Sequence, residues 1–132
     1  MHEAVRTYYH KIKKAGFEHV GNIEDAAISL KAFGELSPVC GNTDDFLYLY
    51  LQVKGGVVTD IKYQCITDPT TNVAIEVLCE LTKGVTLQDA LIMQDDAFMQ
   101  FLGCEDKLMR RKAGALLEML RGGILSYQAK AS

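Results

Sequence analysis

Apolar and polar positions keep a helical period from His2 to Lys14, where Ala4, Val5, Tyr8, Tyr9 and Ile12 share one face and Ala15-Gly16 closes the run. Residues 17–26 lose that period, with Gly21-Asn22 as a turn signal, and Ile28, Leu30 and Ala32 then alternate weakly, which predicts a short strand over 27–33. Ser37-Pro38-Val39-Cys40-Gly41-Asn42 reads as a loop because proline and glycine interrupt any regular pattern. Phe46 to Val53 is rich in strand formers, Lys54-Gly55-Gly56 is a tight turn, and Val57 to Cys65 alternates, so a β-hairpin is predicted. Parity puts Asp60, Lys62 and Gln64 on one face and Val57, Ile61, Tyr63 and Cys65 on the core side.

The period then becomes helical again. Asp68-Pro69 is a helix start, since an aspartate caps free amides and proline suits the first helical position. Val73, Ala74, Val77, Leu78 and Leu81 form its stripe, and Lys83-Gly84 ends it. Thr86-Leu87-Gln88-Asp89 is a capping-box-like start to a short helix reaching about Met93, and Asp95-Asp96 opens another to Leu102. A last helix is expected from about Glu105 to Arg121, stopped by Gly122-Gly123. The fold class is α+β: a small antiparallel sheet of about three strands, helices on one face, an N-terminal helix and a helical C-terminal half.

Composition narrows the function without naming it. A length of 132 residues, 48% apolar and 23% charged, is that of one folded domain. Fourteen basic against 17 acidic residues give no footprint for nucleic acid, and no apolar run of ~18 residues predicts a membrane span. The N-terminus has no basic-then-apolar leader, so a cytoplasmic location is expected, with reduced thiols. Cysteines stand at 40, 65, 79 and 104 with no Cys-x-x-Cys pair, so they are core fillers or ligands. No nucleophile–base pair or glycine-rich phosphate loop is present, and no enzymatic role of its own is expected.

Three passages carry a resemblance to the NifU/IscU family of iron–sulfur cluster scaffold proteins. Val20-Gly21-Asn22-Ile23-Glu24-Asp25-Ala26 resembles the family's Asn-Val-Gly-x-Leu-x-Asp-Ala opening, and Pro38-Val39-Cys40-Gly41-Asn42 its Pro-x-Cys-Gly-Asp loop. Val58 to Tyr63, followed by Glu80-Leu81-Thr82-Lys83-Gly84-Val85-Thr86-Leu87-Gln88-Asp89-Ala90, resembles its strand and its Lys-Gly stretch. The matches span about residues 5–125 in the family's order, so the resemblance implies a single NifU N-terminal-like domain over residues 1–132. It also implies a scaffold for iron or a cluster, with a cysteine desulfurase and a recipient apoprotein as partners.

The family assembles its cluster on three cysteines and an aspartate, thiolates being suited to iron. Cys40 matches the first cysteine, while Asn42 stands where the family has aspartate. A gap-free reading puts Asp68 at the second cysteine and Arg110-Arg111 at the family's His-Cys pair, and Cys104 to Leu108 replaces the Leu-Pro-Pro-Val-Lys chaperone motif. The resemblance therefore implies a non-standard Cys/Asp set, with Cys40 and Cys65 binding the cluster and Asp68 and Cys104 completing a metal site. Iron or a cluster is the expected cargo, with zinc as the substitute.

Each residue also has a plainer reading. Asp68 caps a helix, Cys65 fills the core unless a bulge near Ile66 turns its sulfur toward Cys40, and Cys79 lies too far along its helix to be a ligand. Cys104 is expected near the N-terminus of the last helix, where the dipole lowers a thiol pKa. Arg110-Arg111-Lys112 reads as a solvated face, or else Arg111 points a cation at the ligand site. His2, His10 and His19 fall outside every candidate site. The competing function is a cluster-incompetent module for protein interaction or regulation, its site closed by Asn42, Asp68 and Arg111.

Overall fold

The computed structural model of the protein describes residues 1–34 and 44–131. The loop predicted around Ser37 to Asn42, Cys40 included, lies outside them. The elements are α1 (Glu3–Ala15), β1 (Ile28–Phe33), β2 (Phe46–Lys54), β3 (Val57–Ile66), α2 (Pro69–Thr82), α3 (Leu87–Ile92), α4 (Asp96–Leu102) and α5 (Lys107–Ala131). The strands form an antiparallel sheet in the order β1-β2-β3, with α5 packed on β1 and α2 on β3. Helices α1, α3 and α4 complete the helical layer around α2 and α5. The predicted α+β architecture is the one observed.

Alternation explains the sheet. Leu47, Leu49 and Leu51 of β2 point inward and are buried, as are Ile61 and Tyr63 of β3. The parity expected at the start of β3 fails. Gln52 pairs with Asp60 but Val53 pairs with Val58, so Thr59 is the extra residue of a bulge. One extra residue reverses the faces before it, and Val58 rather than Val57 enters the core.

Helix α2 is the centre of the core. Its Asp68 cap and Pro69 start are as predicted, but burial is not confined to a stripe: Thr70, Thr71, Val73, Ala74, Ile75, Glu76, Val77, Leu78, Cys79 and Thr82 are all buried. A helix enclosed on nearly all sides has little face left for solvent, and its apolar run 73–79 is broken only by Glu76.

The predicted end of the last helix is corrected. Helix α5 passes through Gly122-Gly123 and continues to Ala131. Glycine there is a packing device, because a Cβ on Gly123 would lie 2.6 Å from Leu30 Cδ2 of β1. Arg121 fastens the same stretch to α3 by donating to the carbonyls of Leu91 at 3.1 Å and Met93 at 2.7 Å.

The two glycines should therefore respond oppositely. Gly122→Ala meets nothing within 4 Å, and should raise stability by up to about 1 kcal/mol through helix propensity. Gly123→Val should lower it by about 1–3 kcal/mol through overpacking against Leu30. Urea unfolding midpoints of the two variants check this contrast.

Candidate functional site

Phe33 and Phe46, the strand residues nearest the 35–43 segment, are register partners, and Phe46 also pairs with Ile66 at the end of β3. The Gly34 N–H donates to the Asp45 carbonyl at 2.8 Å, and the Thr67 hydroxyl to Asp45 Oδ2 at 3.4 Å. The described ends that bound the segment containing Cys40 thus stand at the same end of the sheet as Cys65 and Asp68.

Cys65 pairs with Leu47 on the sheet and is half-buried. Its Sγ lies 3.8 Å from Asn72 Nδ2, which also donates to the Tyr63 hydroxyl at 3.0 Å. Tyr63 in turn donates to Glu76 Oε1 at 3.2 Å. With its proton committed to Glu76, the Tyr63 oxygen accepts from Asn72, which orients the amide hydrogens toward both oxygen and sulfur. Asn72, Tyr63 and Glu76 were not singled out from the sequence. The available signal was Glu76 itself, a carboxylate inside an otherwise apolar run, which needs a buried partner.

Asp68 is the N-cap of α2. Its Oδ1 accepts the Thr71 N–H at 2.8 Å and its Oδ2 the Thr71 hydroxyl at 2.9 Å. Both oxygens serve the cap, so coordination of a metal would compete with it.

The setting expected for Cys104 is corrected. Gly103, left-handed at φ 69°, caps the C-terminus of α4, and the Cys104 N–H bonds back to the Met99 carbonyl at 3.2 Å. Helix α5 is opened later by Asp106, whose Oδ2 accepts the Met109 N–H at 2.9 Å. Cys104 thus follows the negative end of one helix instead of opening the next. Burial, Asp106 and Glu105 together push its thiol above the usual value. Among the described residues, Cys65, Asp68 and Cys104 do not form a set whose ligand atoms lie within 4.8 Å of one another.

The remaining residues separate cleanly. Cys79 is fully buried, and burial with Glu76 and Glu80 nearby holds its thiol well above the usual range. Arg110 is ion-paired with Glu105, with Asp95 at 3.2 Å and with Asp96 at 2.6 Å, while Arg111 is exposed. His19, set aside in the sequence, is buried with 3% exposure. Its loop is stitched to β3 by Tyr63 N–H to His19 O at 2.9 Å and Gly21 N–H to Tyr63 O at 2.8 Å. Such a stitch is a long-range backbone pairing that no local pattern announces.

A family model, the NifU-like N-terminal domain, matches residues 3–132. The chain belongs to that family. The iron–sulfur cluster assembly scaffold proteins IscU 1 and IscU 2 of Archaeoglobus fulgidus are each 31% identical to it over 112 residues, 85% of this chain and 69% of theirs. Two crystal structures share the fold. The nitrogen-fixing NifU-like protein (N-terminal) of Brucella abortus superposes with a TM-score of 0.65 at 15% identity, over 98% of this chain and 94% of its own. FiSufU, a SUF-system scaffold candidate from thermophilic Fervidobacterium islandicum AW-1, superposes at 0.66 and 17%, over 94% and 96%. Among the described residues of this NifU-like chain, no helix is long and apolar enough to cross a membrane.

Two stability measurements follow from this geometry. Asp68→Ala removes both cap bonds and should destabilise by about 1 kcal/mol in urea titration. The Glu76 carboxyl is pushed above its ordinary value of 4.5 first by burial, against the opposing pull of His19 and the Tyr63 hydrogen bond. Its folded pKa exceeds the unfolded one, so its contribution is fully present below about pH 4.5 and is lost as pH rises through the folded value. The stability of wild type relative to Glu76→Gln should therefore fall as pH is raised from that point.

Proposed function

We propose that this protein is an iron–sulfur cluster assembly scaffold that carries iron or a nascent cluster as cargo on a non-standard cysteine and carboxylate set. The observation that carries the reading is the 31% identity, over 85% of the chain, to proteins named as such scaffolds. The cargo site is the end of the sheet where β3 gives way to α2. Cys40 and Cys65 supply thiolates, the soft donors that iron–sulfur cores require. Asp68 adds a harder oxygen at the price of its helix cap, and Cys104 is the outlying member of the set. Zinc would fit the same mixed donors.

The partners are a cysteine desulfurase, which would deliver sulfur to Cys40, and an apoprotein that receives the finished cluster. A reducing, cytoplasmic setting would keep the thiolates of this set available to iron.

Anaerobic reconstitution with ferrous iron and sulfide tests the reading in wild type, Cys40→Ala and Cys65→Ala. Stoichiometric iron and sulfide with visible absorbance are expected in wild type, with loss in both variants. Wild type that takes up neither iron nor sulfide overturns the scaffold reading. A cluster that survives both substitutions overturns this ligand set.

A further inference from the structure

We propose that Glu18, His19 and Glu80 form a second metal site, separate from the thiol end of the sheet, which takes a divalent first-row transition ion. Glu80 lies twelve residues beyond Asp68 in the sequence, about 18 Å along α2 at ~1.5 Å per residue. The site therefore does not depend on the scaffold reading.

Glu18, His19 and Glu80 each offer a ligand atom, and these atoms all lie within 4.8 Å of one another. His19 Nε2 and Glu80 Oε1 are 3.0 Å apart, a separation that fits two donors on adjacent vertices around one small ion. The imidazole is held in place before any ion arrives. Its backbone is stitched to Tyr63 on β3, and its side chain is 4% exposed. Nδ1 is buried with no hydrogen-bond partner among the described residues, so the ring's polar attachment is the one at Nε2, toward the carboxylates.

Charge in the cluster favours a cation. Glu76 interacts electrostatically with both His19 and Glu80, and burial first, then Glu80, Glu76 and Glu18, push the Tyr8 hydroxyl up to about 12. The neighbouring Lys62 ammonium donates to the Glu18 backbone carbonyl at 3.2 Å. The Glu80 side chain is 39% exposed and Glu18 is exposed, so an ion can arrive from solvent and keep water in its open positions.

One imidazole nitrogen with two carboxylates suits zinc, cobalt or ferrous iron, whereas magnesium and calcium favour oxygen alone. The partnerless Nδ1 departs from the usual arrangement in which a ligating histidine donates its other N–H, so affinity should be moderate.

The test uses cobalt(II) with a Cys40→Ala/Cys65→Ala/Cys104→Ala protein whose fold is verified by circular dichroism. A single equivalent of cobalt should bind, giving visible ligand-field bands without the sulfur-to-cobalt charge transfer of a thiolate site. Zinc should displace it and excess magnesium should not. Glu80→Gln in the same background should weaken binding more than about tenfold, since even outer-shell losses reach that size. The exposed Glu118→Gln should leave it unchanged. Absence of cobalt binding in the thiol-free protein overturns the proposal, as does unchanged affinity in Glu80→Gln. A failed cluster reconstitution leaves it standing, so the two readings fail separately.

Discussion

Burial of α2 on nearly every side is the constraint from which the rest of the structure follows. An enclosed helix must satisfy most of its polar groups inside the protein, because an unpaired buried donor or acceptor costs about 1–3 kcal/mol; on α2 the Thr82 hydroxyl is buried without a partner among the described residues. Asp68 and Thr71 close the N-terminus. Glu76 meets Tyr63, and Glu80 meets His19. These bonds reach from α2 to β3 and to the loop before β1, so they fix the layer spacing and also position Cys65, Asn72 and Asp68. Fold and site are two consequences of one enclosure.

The legible parts of the sequence were those decided locally. The hairpin turn, the Asp68-Pro69 start and the Thr86 cap each rest on a few neighbouring residues, and each stands where it was predicted. What failed was set from a distance. Gly122-Gly123 looks like a stop until β1 is placed beneath it, when Leu30 explains why Gly123 carries no side chain. The Thr59 bulge reverses parity at Val57 and Val58 without any composition signal. Acidic Glu105 reads as the start of α5 and so places Cys104 at a helix N-terminus, but α5 begins at Lys107 and the thiol is pushed up instead of down. His19 looked unremarkable because its backbone pairing with Tyr63 spans 44 positions in the sequence.

The same distinction applies to the candidate ligands. Cys65 and Asp68 were legible as a pair because they sit three residues apart at a strand-to-helix junction. Sequence alone left the capping and ligand roles of Asp68 open, and the structure commits both carboxylate oxygens to the cap. That does not remove the carboxylate from metal chemistry, since each oxygen has a further lone pair. It does couple the two: an ion drawing on Asp68 would loosen the first turn of α2 by an amount on the order of a capping interaction, about 1 kcal/mol. That penalty is small beside a typical structural metal's binding energy, about 10 kcal/mol or more.

Donor chemistry keeps the two ends of α2 distinct. In the proposed sites, the donors at the Asp68 end are sulfur and one capped carboxylate, and those at the Glu80 end are imidazole and carboxylates. Soft thiolates select iron–sulfur and thiophilic metals, and the nitrogen–oxygen set selects borderline divalent ions. Electrostatics reinforce the separation. Burial first, and then Glu76 and Glu80, raise the pKa of Cys79, which disfavours thiolate in the middle of the helix. Buried Glu76 and exposed Glu80 thus do two things. They pin the loop of His19 and the hydroxyl of Tyr63 to the core, and they concentrate negative charge where a divalent cation, rather than another thiol, is the fitting counterpart.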